Sequence, residues 1–552
     1  MDDQYDVVVI GSGAGGLTAA VALAQAGQSV LVCEQHEVAG GWCHSFTLNG
    51  YRFSPGVHYI GGLEEGGWLR NVYEGLGVSQ DLEFCELNPD GYDHIFIGDE
   101  QFDIPKGREK FIKRLQERFL DEAEGVEAYF AALDGMMDGL RHLSKVHGVT
   151  KMVKALPDAA STLLWSRRTG MDMIEKYVSD PVLKAILAGQ SGDHGLPPSE
   201  VSAFVHAGVT RHYLNGGYYP RGGGFAIPRA FVRALKRMGG EIRLETSVKR
   251  ILIENEQAVG VELEDGTTVR AKSVISNADP HVTFEKLIGR EHLDKKLLRR
   301  LDGVNYSTSS LSLFFAVDMD LKAAGLDSGN FWFYDHEDVD LLYRQGKSAH
   351  ALEAQSPGMI FLTVTTLKDP SKMHKGHHTC EAFTFVSYDA FAQWAGESSG
   401  NRAADYEAMK EELSWKMFQA LERRVPGISR HVVYWSLGTP LTNEHYINAT
   451  EGNLYGIEKN RSQVGPLGFP IQSAIKGLYM VGASTMSHGV SGATSTGLTA
   501  ARKILGCRTA DLLQQNGPPL RIYPAEHIEE WPEELQQRIA RGQKQVRMEQ
   551  IS

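Results

Sequence analysis

The 552-residue sequence predicts an α/β fold, and three separated stretches carry that prediction. Near the start, an apolar run enters a glycine-rich turn, an alanine-rich segment and a second apolar run. Near the end, Gly477–Ser484 repeats the step from an apolar run into a glycine turn, and a segment of helical composition follows to Leu505. Between them, residues 217–276 hold another glycine turn, an amphipathic stretch and further apolar or alternating runs. Short β-branched runs that alternate with helical patterns mark a parallel sheet covered by helices.

The first run, Tyr5-Asp6-Val7-Val8-Val9-Ile10, reads as a buried strand because it is continuous and β-branched. Gly11-Ser12-Gly13-Ala14-Gly15-Gly16 follows, then Leu17 to Ala26 as a helix ended by Gly27. Ser29 to Cys33 is a second strand and closes on Glu34. Strand, GxGxxG, helix, strand and acid within about thirty residues is the dinucleotide-binding pattern of a Rossmann unit. Gly11 allows the tight turn, Gly13 lets backbone approach a pyrophosphate, and Gly16 permits close packing of helix on strand. First-turn N–H groups and the helix dipole would hold the phosphates. Glu34 would accept from ribose hydroxyls, and its charge would repel a ribose phosphate, which argues against NADP.

Two further features separate FAD from NAD. Gln35 to Gly41 places a second glycine pair, Gly40-Gly41, just past the ribose acid, where backbone can approach an extended cofactor. The late strand at Gly477–Ser484 and the helix opening at Val490-Ser491-Gly492-Ala493 would bring a second helix N-terminus to the flavin end. FAD is therefore the expected cofactor. The middle stretch agrees: Gly217 to Gly224 precedes an amphipathic helix, Ala226 to Met238. Glu241 to Val248 then leads into two strand-like stretches hinged at Glu264-Asp265-Gly266, and Ala271 to Ser276 ends at Asn277-Ala278-Asp279.

Composition bounds the function. With glycine counted and tyrosine set aside, about half the residues are apolar, the proportion of a globular chain. There are 59 glycines where average usage gives about 39, and the excess concentrates in the three turns. A formal charge of −13 with dispersed basic residues argues against nucleic acid as a partner. Five widely spaced cysteines without a CxxC pair suggest neither disulfides nor zinc, and point to a reducing, cytoplasmic compartment. The acidic start enters a strand at once, so a signal peptide is not expected. No run of about 18 uncharged apolar residues occurs, so the chain is expected to be soluble or attached to one face of a bilayer.

These stretches resemble the FAD-dependent phytoene desaturase, carotenoid isomerase and retinol saturase superfamily, most closely the retinol saturase branch. The resemblance is carried by Val7 to Gly16, Glu34-Gln35-His36 with Gly40-Gly41, and Gly56-Val57-His58-Tyr59-Ile60-Gly61. It continues in His212-Tyr213 through Gly222-Gly223, Ser276-Asn277-Ala278 and Pro440-Leu441-Thr442-Asn443. It implies a Rossmann-type FAD-binding domain of glutathione-reductase-like form with an inserted α+β substrate domain. By position, Gly11, Gly13, Gly16, Glu34, Gly41 and Gly482 would hold FAD, with Ala14, Gln35 and Ser491 beside them. Val248 would meet the adenine end through its backbone. A membrane-directing N-terminal extension like that of the vertebrate saturases is not expected. Ala483 also stands where some relatives place an acid, as in the desaturases, which leaves the reaction direction open.

On this reading residues 1–75, 215–285 and 465–507 form a discontinuous FAD domain. Residues 76–214 and 286–464 form a substrate-binding lid region, and 508–552 a charged helical tail. Asn88 to Pro105 reads as a hairpin turning at Gly98-Asp99, residues 109–147 as helical, and Ser310–Val317, Met359–Thr366 and Ala382–Tyr388 as strands, which the resemblance implies belong to one sheet. Residues 151–178 interleave Leu163, Leu164 and Trp165 with Lys151, Lys154, Arg167 and Arg168. That pattern suits either one-face membrane association or an ordinary lid helix.

No serine triad or metal site is expected, and His374-Lys375-Gly376-His377-His378 reads as a solvated loop. His58, Tyr59, His212 and Tyr219 are the candidates to face the flavin's substrate side and exchange a proton; the alternative for each is a structural role. The resulting expectation is an FAD oxidoreductase that saturates or desaturates a carbon–carbon bond of an apolar polyene or isoprenoid. Rivals are a carotenoid cis–trans isomerase using reduced FAD without net redox, an FAD amine oxidase, and a non-catalytic lipid-binding flavoprotein. The electron donor or acceptor is not specified by the sequence.

Overall fold

The computed structural model describes residues 3–145 and 160–541. Five strands of its first sheet run parallel, in the order Leu478–Met480, Thr268–Ser276, Asp3–Ile10, Val30–Cys33 and Glu241–Arg243. Thr268–Ser276 is long enough for two partners on one side. Its first half pairs antiparallel with Gln257–Leu263 and its last three residues pair with Leu478–Met480. Val248–Glu254 completes the antiparallel edge.

The helix Ala14–Gln25 starts directly after Gly13, three residues earlier than its composition suggests. It packs between Ala226–Arg237 and Gly489–Leu505 in one apolar core. A Cβ on Gly497 would sit 2.3 Å from the Gly15 carbonyl oxygen, so Ala14–Gln25 and Gly489–Leu505 touch backbone to backbone. Only glycine and alanine faces permit that approach. The N-termini of two helices almost five hundred residues apart are thereby fixed side by side.

The second sheet has seven strands in the order Val432–Gly438, Ser309–Val317, His378–Val386, Met359–Val364, Asn330–Tyr334, Asp93–Ile97 and Glu100–Ile104. Only Asn330–Tyr334 and Asp93–Ile97 are parallel neighbours. Gly98, at φ +56°, turns the last hairpin. Strand alternation divides its residues between two cores. Phe331, Phe333, Ile360 and Leu362 pack on the helix Ala404–Arg424. Trp332, Phe361 and Phe383 face a helical cap that includes Ala123–Lys145, Gly170–Tyr177 and Ala203–Tyr213. The helical stretch from 109 onward is two helices, Arg108–Arg118 and Ala123–Lys145, separated by a turn at Leu120–Glu122.

Two expectations change. The segment past Pro518 is not helical from its start: Arg521–Pro524 is a strand paired in parallel with Glu83–Glu86, and helix follows only as a single 3-10 turn at Ile528–Glu530 and an α-helical stretch at 533–541 among its described residues. Trp531 is buried with Cys85, Ala525 and Ile539. The charged composition concealed this short run, whose Ile522 and Tyr523 gain burial by adding to a sheet edge. Of the basic amphipathic stretch, residues 151–159 lie outside the described residues. Trp165 of that stretch is buried in the helical cap with the Lys176 ammonium 5.8 Å from its ring, as a lid helix requires, whereas Leu163 and Leu164 are exposed. Among the described residues no helix is long and apolar enough to cross a membrane.

Candidate active site

The two sheets share a cavity of about 2120 Å³. Ligand pockets usually measure about 300–1,000 Å³, so this one has room for a dinucleotide and a second ligand. The first sheet contributes Gly11, Gly13, Ala14, Glu34, Gln35, Gly41, Val248, Gly482 and Ser491 to its wall. The second sheet and the cap contribute His212, Tyr213, Trp332, Phe361 and Phe383, and the loop after Tyr51–Phe53 contributes His58 and Tyr59.

The first and last glycine turns meet on one side chain. Asn277, at the end of the central strand, accepts a hydrogen bond from the Gly16 N–H at 3.2 Å. A Cβ on Gly13 would lie 2.4 Å from Asn277 Nδ2, and one on Gly482 would lie 2.9 Å from Oδ1. Gly11 and Gly482 adopt φ of +88° and +92°, backbone that side chains other than glycine rarely tolerate. Gly16 lies beneath the wall instead of on it, since its Cβ would meet the Gly11 carbonyl oxygen at 2.2 Å. Its role is the packing of helix on turn. Sequence reasoning placed Asn277 only at a strand end; its function as the hub of the first and last turns comes from pairings more than two hundred residues apart.

Glu34 is buried and already engaged by protein. Its Oε2 accepts from the Ser12 N–H at 2.9 Å and the Ser12 hydroxyl at 2.5 Å, and its Oε1 accepts from the His36 N–H at 2.9 Å. The Ser12 hydroxyl oxygen accepts in turn from the Gly40 N–H at 2.9 Å. The acid therefore ties the first glycine turn to the second glycine pair as well as facing the cavity.

Of the four polar candidates, three line the cavity. His58 Nδ1 lies 3.0 Å from Glu381 Oε2, and its ring stands beside Phe361 and Phe383. The Tyr59 hydroxyl lies 2.7 Å from Asp193 Oδ2 and 3.0 Å from Asp93 Oδ2, while its ring stacks on Tyr213 at 4.1 Å. His212 Nε2 accepts from the Gly61 N–H at 2.9 Å, and burial lowers its pKa to about 4, so it is neutral and serves the backbone. Tyr219 is the correction. It is fully buried away from the cavity, and its hydroxyl accepts from Lys372 Nζ at 2.8 Å. Alternation in Tyr218–Pro220 sends Tyr218 into the core of the first sheet and Tyr219 into that of the second. The histidine cluster at 374–378 is partnered by protein, with His377 Nδ1 2.6 Å from the Tyr51 hydroxyl and His378 Nδ1 2.9 Å from Thr366 Oγ1. Among the described residues no group of three or more His, Cys, Asp or Glu side chains is placed to hold a metal ion.

A family profile for flavin-containing amine oxidoreductases matches residues 14–505. The chain belongs to that family. Similar proteins within reach of this flavin oxidoreductase include the all-trans-retinol 13,14-reductase of Danio rerio. It is 30% identical over 91% of this chain and 86% of its own. The chloroplastic prolycopene isomerase of Daucus carota is 28% identical over 94% of this chain and 82% of its own. Among solved structures, an oxidoreductase from Methanosarcina mazei aligns with a TM-score of 0.62 at 17% identity, covering 89% of this chain and 99% of that one. A putrescine oxidase aligns at 0.58 and 16%, covering 91% and 99%.

The protein is an FAD-dependent oxidoreductase, and its own residues fit the cofactor. The helices Ala14–Gln25 and Gly489–Leu505 both begin without a side-chain cap, and Ala14, Gly15 and Gly489 to Gly492 of their first turns line the cavity. Uncapped first-turn N–H groups beside a positive dipole end suit a pyrophosphate. The cradle is also one that Cβ atoms would fill at Gly13 and Gly482.

Sequence reasoning missed the buried charges behind the family's flavin cavity. Lys368 is buried, its Nζ donates to the His58 carbonyl oxygen at 2.8 Å and to Asn330 Oδ1, and burial lowers its pKa to about 7. Lys459 is buried, donates to the Ala483 carbonyl oxygen at 2.6 Å, and is lowered to about 7 for the same reason. Asp93 and Asp193 flank Tyr59. No local spacing signals any of them, because each meets its partners only through the second sheet or the cap.

Proposed function

We propose that this flavoenzyme saturates or desaturates a carbon–carbon double bond of a long apolar polyene of retinoid or carotenoid type. The observation that carries the reading is the continuity of one cavity from the glycine cradle to the aromatic wall. Trp332 and Phe361 stand 4.5 Å apart by ring centroid, and Phe361 and Phe383 stack at 4.6 Å. Flat rings beside a flat conjugated chain gain dispersion and hydrophobic burial without asking for a polar partner. The activities named for the zebrafish and carrot relatives, each matched over nine-tenths of this chain, support a polyene substrate.

Gly11, Gly13, Ala14, Glu34, Gln35, Gly41, Val248, Gly482 and Ser491 would hold FAD, and Gly16 would set the turn beneath it. Bound there, FAD supplies hydride exchange with carbon. The chain binds the polyene, excludes water from the aromatic chamber, and holds a proton at its polar edge, where His58, Tyr59 and Asp193 meet the wall. His212 acts as a support for Gly61.

The test is product mass. Holoenzyme reduced without oxygen and mixed with an all-trans polyene is expected to yield a product with two added hydrogens. A product of unchanged mass and altered geometry identifies an isomerase, the reaction in the carrot relative's name. Hydrogen peroxide released with amines, and no change in the polyene, identifies an amine oxidase.

A further inference from the structure

We propose that Asp193 is the catalytic acid of this site, the side chain that carries the proton exchanged with substrate carbon, held in that state by a buried array with Tyr59 and Asp93. The assignment rests on the polyene reading above and names the group that completes it.

The argument is one of hydrogen counting. A phenol has a single hydrogen, yet the Tyr59 oxygen lies within hydrogen-bond distance of two carboxyl oxygens, Asp193 Oδ2 at 2.7 Å and Asp93 Oδ2 at 3.0 Å. One contact uses the Tyr59 hydrogen. The other needs a hydrogen that belongs to a carboxyl. Asp93 already accepts from Gln190 Nε2 at 2.8 Å, Asn330 Nδ2 at 3.1 Å and Trp332 Nε1 at 3.2 Å, a donor set that favours its ionised form. Tyr59 therefore donates to Asp93, and the remaining hydrogen sits on Asp193, which donates to the Tyr59 oxygen.

The surroundings agree. The Lys368 ammonium faces Asp93 and stands 6.0 Å from the Tyr59 ring. Asp193 itself ends the short turn Ser191–Asp193, and the groups facing it from the packed elements are Tyr59, Asp93, Tyr92, Tyr213, Tyr334, Tyr343, Tyr455 and His488. None supplies a cation: burial lowers the His488 pKa to about 4, so its ring is neutral as its Nε2 meets the Asp193 carbonyl oxygen at 2.9 Å. Burial raises the Asp193 carboxyl well above the usual range, and the Asp93 charge adds to the rise. Burial also lifts Asp93, to about 6, against the pull of its four donors. Asp193 lines the cavity and Asp93 does not.

In saturation, the Asp193 O–H bond breaks and its proton forms a new C–H bond with the π electron pair at one carbon of the double bond. Reduced FAD held in the glycine cradle would supply the hydride to the other carbon, so the polyene would gain two hydrogens and the cofactor would be oxidised. Asp193 is left as a carboxylate and regains a proton from water. In the opposite direction the same oxygen receives the proton.

Infrared difference spectroscopy of the holoenzyme against Asp193→Asn tests the proton directly, apart from turnover. The expected result at neutral pH is a protonated-carboxyl carbonyl band that the substitution removes, with FAD retained and polyene reduction slowed about 100-fold or more. Asp93→Asn, which removes the neighbouring charge, is expected to move both the titration of that band and the alkaline limb of the rate profile to lower pH. Should Asp193→Asn fail to fold, Tyr59→Phe keeps both carboxyls and is expected to shift the band as its hydrogen-bond acceptor is lost. A wild-type protein without the band, or an Asp193→Asn enzyme within about threefold of wild type, overturns the assignment. A wild type that shows the band but reduces no polyene overturns the substrate reading, and the catalytic role with it.

Discussion

Asn277 Oδ1 accepts from the Gly16 N–H at 3.2 Å, and a Cβ on Gly482 would come within 2.9 Å of that same oxygen. One amide thus joins the opening turn of the chain to the turn that precedes its last long helix. A flavin cradle made from both ends of a sequence depends on that junction.

Gly482→Ala is the sharpest test of the junction. The residue sits at φ +92°, so alanine adds backbone strain to the contact with Asn277. The expected loss is about 1–3 kcal/mol of stability, together with FAD that no longer survives gel filtration. Gly27→Ala serves as the control, because Gly27 is also left-handed, at φ +82°, but has open space around it. It is expected to lose stability and keep its flavin. Chemical unfolding and the visible spectrum of the purified variants read both.

The cradle was the legible part of this protein because its chemistry is local. Gly11, Gly13, Gly16 and Glu34 lie within one strand–turn–helix–strand unit, and the residue types follow from the turn each must make. His58 and Tyr59 were found through a short segment that reaches the cavity. Tyr219 was misplaced because neighbours on a strand point to opposite faces, and a sequence alone does not say which face meets the cavity. Asp193 and Asp93 were missed for a different reason. Their chemistry exists only because Tyr59 brings two carboxyls from separate elements together, and no spacing along the chain encodes that.

His94 gives a prediction for stability against pH. It lies 2.7 Å from Asp103 and 3.0 Å from Asp327, and so bridges the hairpin Asp93–Ile104 to the loop before Asn330. Burial opposes its charge, but hydrogen bonds and attraction from the two carboxylates prevail and raise its pKa to about 9. The folded value exceeds the unfolded one of about 6.5. The stabilisation is therefore complete below about pH 6.5 and disappears as pH rises through about 9. From 6.5 to about 9 the shift is worth at most about 3 kcal/mol. Denaturant unfolding of wild type and His94→Gln is expected to show a gap at pH 6 that narrows by more than half at pH 9.5. A gap that stays constant would place the contribution of His94 in packing on Phe331.

Phe383→Ala separates the aromatic wall from the cradle. The ring lines the cavity and stacks on Phe361. Removing a buried aromatic costs about 3–5 kcal/mol when the site cannot collapse, and less where the side chain borders a cavity, as here. FAD content is expected to be unchanged while KM for a polyene rises at least tenfold. That rise is a loss of about 1.4 kcal/mol or more in binding. Steady-state kinetics on flavin-replete enzyme measure it, and equal loss of flavin and affinity would contradict the division of the cavity.

The central claim is that the FAD held by the two sheets exchanges electrons with a polyene lying along Trp332, Phe361 and Phe383. Stopped-flow absorbance of the anaerobically reduced holoenzyme measures that exchange. The yellow oxidised flavin is expected to return many times faster on mixing with an all-trans polyene than with buffer, with loss of polyene absorbance at the same rate. Flavin that returns no faster with any polyene than with buffer contradicts the account.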